Sequence, residues 1–78
     1  MKSDRVLDCT GYLCPLPVVK TKLLIEEMKQ GEILEVISDD PGAKRDFPAW
    51  CEETGNKLLK MEEEQKGVMF YIRKKGKR

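Results

Sequence analysis

Two stretches with the period of an amphipathic helix, Pro17 to Gln30 and Gly42 to Thr54, are interleaved with short strand-like runs, and that alternation restricts the fold most. In the first stretch Val18, Thr21, Leu24, Ile25 and Met28 fall on one face, and Gly31 supplies a stop. In the second, Ala43, Phe47, Trp50 and Cys51 lie broadly on one side, with Gly55 after the end. A helix with a single apolar face must cover something apolar, and the remaining segments supply a sheet.

Arg5 to Cys9 alternates like a short strand until Thr10-Gly11 breaks it, and Glu32 to Ser38, rich in aliphatic and β-branched residues, fits an interior strand. The following Asp39-Asp40-Pro41 reads as a helix start, with Asp39, Asp40 and Asp46 as capping aspartates. Pro48 leaves two alternatives: a kink, or a later helix start capped by Asp46. Lys57 to Glu64 and Val68 to Lys74 form a hairpin through Gln65-Lys66-Gly67. In it Leu59 and Met61 are expected to face Val68, Phe70 and Ile72 across one core layer, with Met69, Tyr71 and Arg73 pointing away. The order β-α-β-α-β-β predicts an α/β (α+β) two-layer sandwich whose first two strands are parallel through a right-handed crossover.

Seventy-eight residues suit one domain, 1–78, with a thin core and no deep enclosed site. No run reaches the roughly 18 apolar residues of a membrane span. The charged start Met1-Lys2-Ser3-Asp4-Arg5 is not followed by a signal-type apolar region, so a cytoplasmic protein is expected. The net charge of +1 hides an asymmetry: Arg73, Lys74, Lys75, Lys77 and Arg78 are five of the fifteen basic residues, and without them ten basic residues face fourteen acidic ones. Residues 75–78 read as a flexible, solvated basic tail, with RNA phosphates or an acidic protein patch as the alternative use.

Cys9, Cys14 and Cys51 cannot pair completely, so at least one thiol is free. Cys14, in Cys14-Pro15-Leu16-Pro17, lies where a strand gives way to a helix. There backbone N–H groups and the helix dipole favour a thiolate, and both prolines suit a first turn. Lys20 and Lys22 would add to that effect if they turned toward the loop. Position alone leaves open a reactive thiol or a packed one. The chain has no histidine, which excludes a cysteine–histidine pair and most zinc sites, and a metal would need all three cysteines plus a carboxylate. Glycine loops that cradle phosphates are absent too, so neither a cofactor nor a metal is expected. What is left is nucleophilic sulfur chemistry without a built-in base, suited to passing a sulfur atom or forming a transient disulfide.

The pattern D-x-x-G-x-x-C-P-x-P, carried by Asp8, Gly11, Cys14, Pro15 and Pro17, resembles the signature of the TusA/SirA-like sulfur carrier family. The resemblance extends through Gly31-Glu32, Asp39-Asp40-Pro41, Asp46-x-Pro48 and Tyr71-Ile72-Arg73-Lys74, nearly the whole chain. It implies a four-stranded mixed sheet with two helices on one face, like the C-terminal domain of a translation initiation factor. It further implies that Cys14 takes sulfane sulfur as a persulfide from a cysteine desulfurase or a rhodanese-like or DsrE-like donor. Cys14 would then pass it to an acceptor protein in a relay such as thiolation of transfer RNA, molybdenum cofactor formation or sulfur oxidation. In this setting Asp8 caps the loop and Gly11 supplies a positive φ. Cys51 reads as core beside Trp50. Cys9 reads either as a buried partner of Leu7 or as a resolving thiol that releases sulfide and leaves a disulfide. Val19 and Leu23 form a second apolar strip that packs on the other helix or presents Cys14 to a partner. A monomer with no direct role at membranes is expected. The competing classes are an RNA-binding module, argued from the basic tail and the fold analogy, and a cysteine-dependent regulatory or redox protein that moves no sulfur.

Overall fold

The computed structural model describes residues 2–76. Its elements are β1 (Arg5–Asp8), α1 (Leu16–Glu26), β2 (Ile33–Ser38), α2 (Ala43–Thr54), β3 (Lys57–Glu64) and β4 (Gly67–Arg73). They form one mixed sheet in the order β1-β2-β4-β3, with β1 and β2 parallel and the other pairs antiparallel. The register sets Leu34 opposite Ile72 and Val36 opposite Phe70, and these four residues make a fully buried patch in the two central strands. Ile25 and Met28 from the α1 region and Ala43, Phe47 and Cys51 from α2 close over it, so both helices cover the same face. Phe47 stacks on Phe70 with ring centroids 4.6 Å apart and planes inclined by 29°, a separation at which aromatic pairs attract.

The α+β sandwich with its parallel first pair is the architecture expected from the element order, but several details differ. Helix α1 ends at Glu26 rather than Gln30: Glu27 and Met28 donate three residues back to Leu24 and Ile25, tightening the last turn. Lys74 then places its ammonium on the exposed carbonyls, 2.6 Å from Met28 O, a cation at the negative end of the helix. Helix α2 runs unbroken from Ala43 with Pro48 inside it, which removes the later start; its N-cap is Gly42, with no side-chain cap. Of the three aspartates assigned as caps, only Asp40 serves the helix start, accepting the Gly42 N–H at 3.2 Å.

Leu59 does not join the core layer. An irregularity between Leu58 and Lys60 shifts the register of β3, so that Leu58 lies opposite Ile72 and packs against the core. Met61 does lie opposite Phe70, yet it is 43 % exposed because β3 is the sheet edge. Tyr71 points to the other face, in register with Glu35 and Lys60, and is buried there all the same. Of the expected basic tail, Lys75 donates its backbone N–H to Asn56 Oδ1 at 2.9 Å, whereas Lys77 and Arg78 lie outside the described residues.

Candidate functional site

Because β1 and β2 are parallel neighbours, the segments that leave their C-terminal ends emerge side by side, the usual place for a site in sheets of this kind. Those segments are the cysteine loop and the Asp39–Gly42 connection. Asp8 closes the start of the loop by accepting both the Thr10 N–H, at 2.9 Å, and the Thr10 hydroxyl, at 2.7 Å. These bonds hold the Asp8 carboxyl below its ordinary range, the backbone bond contributing most. Gly11 adopts φ +88°, a conformation that L side chains rarely take, and donates its N–H to Asp39 Oδ1 at 3.0 Å. The loop cap and the positive φ are as the sequence suggested; the strap to Asp39 is an addition. Pro15 is the N-cap of α1 and Pro17 lies in its first turn. Thr21, fully buried, returns its hydroxyl to Pro17 O at 2.8 Å, fixing that turn.

Cys14 projects from this frame into solvent and donates its S–H to Asp46 Oδ2 at 3.1 Å. Asp40 completes a cluster in which the sulfur and one oxygen from each carboxylate lie within 4.8 Å of one another. Gly42 leaves room for that convergence: a β-carbon there would stand 3.3 Å from Asp40 Oδ2 and 3.4 Å from Asp46 Oδ2. Cys14, Pro15, Val18, Asp46, Ala49, Trp50 and Glu53 line a shallow depression of about 270 Å³. The electrostatics run against the expectation of a thiolate stabilised by the helix end. The hydrogen bond to Asp46 pushes the Cys14 thiol up from its ordinary value, with partial desolvation and the charges of Asp46 and Asp40 adding to it and Arg45 opposing. The lysines that could have countered this are engaged elsewhere: Lys20 lies 4.7 Å from the centre of the Tyr12 ring, and Lys22 pairs with Glu26. Sequence reasoning assigned Asp46 to a helix cap and missed its contact with the thiol. The available signal was topological, since parallel neighbours bring their following segments together.

The other two thiols lie in the core. Cys9 is fully buried, its N–H bonded to Ile37 O, and burial pushes its thiol up. Cys51 is 3 % exposed, and burial pushes it to about 11. With both packed away, the three cysteines do not assemble the metal site considered from sequence, and Cys9 cannot reach an external sulfur in this conformation. Val19 and Leu23 do not pack on α2: they are 43 % and 58 % exposed and continue an open strip with Leu13 and Leu16. No helix among the described residues is long and apolar enough to cross a membrane.

A two-layer α+β sandwich that exposes a single cysteine ahead of its first helix defines a class of small thiol-presenting proteins. The crystal structure of a SirA-like protein from Desulfitobacterium hafniense has the same fold, with a TM-score of 0.77 over 92 % of this chain and 99 % of that one, at 23 % identity. The chain belongs to the TusA family: residues 5–74 match the family described as Sulfurtransferase TusA. Among its relatives, a putative sulfur carrier protein, YrkI, of Bacillus subtilis is 46 % identical across 95 % of this chain and 99 % of its own length. Sulfur carrier protein TusA of Allochromatium vinosum is 41 % identical over 91 % of this chain and 93 % of its own. A putative sulfur carrier protein of Aquifex aeolicus is 47 % identical, and there the chain spans only 38 % of the relative's length.

Proposed function

We propose that the chain is a sulfur carrier in which Cys14 holds sulfane sulfur as a persulfide between a donor and an acceptor protein. The observation that carries this reading is that Cys14 alone of the three cysteines is exposed, at the end of a loop pinned by Asp8, Gly11 and Asp39. In loading, the Cys14 sulfur, its proton released to water, attacks the outer sulfur of a donor persulfide. The donor's S–S bond breaks, a new S–S bond forms at Cys14, and the donor leaves as a thiolate, with no net oxidation. Unloading repeats the exchange on an acceptor thiol. The reaction calls for neither metal nor organic cofactor, and the shallow depression leaves the outer sulfur accessible to another protein.

Donors of the cysteine desulfurase, rhodanese or DsrE-like type fit this chemistry, as does a cytoplasmic relay such as transfer RNA thiolation. The open strip of Leu13, Leu16, Val19 and Leu23 beside the thiol is the surface on which such a protein would seat. The test is incubation with a cysteine desulfurase and L-cysteine followed by intact-mass measurement. The wild-type chain should gain one sulfur atom that dithiothreitol removes, and Cys14→Ser should gain none. Equal uptake by Cys14→Ser, or no uptake by the wild type, would overturn the reading.

A further inference from the structure

We infer that Asp46, backed by Asp40, is a positioning residue that holds the unloaded Cys14 as a protonated thiol, guarding the free carrier against adventitious electrophiles. The inference rests on the sulfur-carrier reading, since only a thiol that must survive between partners needs guarding. Its basis is geometric. Asp46 Oδ2 sits 3.1 Å from the sulfur with only an S–H to bond, so the contact exists while the proton does and becomes a repulsion when the proton leaves. Asp40 is 9 % exposed and is tied to the Gly42 N–H, so its charge cannot swing away. Among the described residues, Asp46 from α2 and Asp40 from the segment before it face Cys14, and Glu53 from α2 lines the same depression. Of the residues lining the depression, Val18 of α1 and its N-cap Pro15 carry no charge. Among the described residues the cation that acts on Cys14 is Arg45, 86 % exposed and 3.7 Å from the other oxygen of Asp46. The loaded form escapes the hold, because its ionised sulfur is one S–S bond farther along the chain. The carboxylates therefore penalise the bare thiolate more than the persulfide.

Alkylation by iodoacetamide as a function of pH tests this, with Asp46→Asn as the principal variant and Asp40→Asn as the second. Each unit by which the thiol titrates lower raises the thiolate fraction tenfold at neutral pH, and the weaker nucleophile gives back roughly a factor of three. Asp46→Asn should thus react about threefold faster per unit at pH 7 and more slowly at a pH where both proteins are fully ionised. Asp40→Asn, which does not touch the sulfur, should show a smaller shift in the same direction. Circular dichroism and the melting midpoint identify a variant that has unfolded, in which case the other variant carries the test. A profile that overlays the wild type, or one faster at every pH, would overturn the inference, the latter because it reports access rather than charge. Because alkylation involves no sulfur transfer, a shifted profile in a protein that never loads sulfur would sink the carrier reading and leave the hold intact.

Discussion

At the residue scale the three cysteines differ by environment rather than chemistry. Cys14 is exposed, while Cys9 and Cys51 belong to the apolar cluster under the helices. Iodoacetamide should therefore label one cysteine of the native protein and reach the other two only on denaturation, a stoichiometry that intact mass reads directly; native labelling at Cys9 would restore it as a candidate resolving thiol. Burial also makes Cys51 a reporter of alkaline stability. Its thiol is raised from 9.0 to about 11, so it contributes stability that is complete below pH 9, where the unfolded chain is still protonated. That contribution is lost as pH rises from 9 toward 11 and only the unfolded chain ionises. Cys51→Ala should flatten the fall in urea-unfolding stability across that window, although it lowers stability at neutral pH through the cavity it leaves. An unchanged slope would show that Cys51 ionises as readily folded as unfolded. Of the site's geometry, the Asp8 loop cap and the positive φ of Gly11 could be read from the sequence because both follow from local backbone chemistry. Asp46 could not, since it meets Cys14 from 32 residues away.

At the scale of elements, periodicity located both helices and all four strands, since a buried face imposes its spacing on the residues that form it. What periodicity could not supply is partnership. Strand order β1-β2-β4-β3 and the register shift in β3 depend on cross-strand packing, which is why Leu58 rather than Leu59 is the core residue. Val19 and Leu23 share the four-residue spacing of a packed strip yet face solvent, and spacing cannot distinguish a neighbour within the fold from one outside it. The hairpin gives a prediction at this scale. Gly67 has φ +151°, and a β-carbon there would lie 2.5 Å from Ser38 O. Gly67→Ala should cost about 1–3 kcal/mol in urea unfolding, whereas Gly76→Ala, with nothing within 4 Å of its β-carbon, should be neutral by the same measurement.

At the scale of the whole molecule, a chain of 78 residues has little stability to spare, on the order of 4–12 kcal/mol at typical values per residue. Much of it depends on the contact between α2 and the sheet, where Phe47 is fully buried against Phe70. Phe47→Ala should remove about 3–5 kcal/mol, read as a lower urea-unfolding midpoint and a lower melting temperature. The small core does not limit the function proposed for it, because a carrier needs a rigid loop and an exposed sulfur rather than an enclosed cavity. The sheet places the cysteine loop beside the acidic turn, and the helices leave one apolar strip and one thiol open to a partner. The most direct test is to load the protein with a cysteine desulfurase and L-cysteine, digest it under non-reducing conditions and locate the added sulfur by peptide mass. It should lie on the peptide containing Cys14 and on no other; a persulfide on Cys9 or Cys51, or its absence from all three, would contradict the assignment.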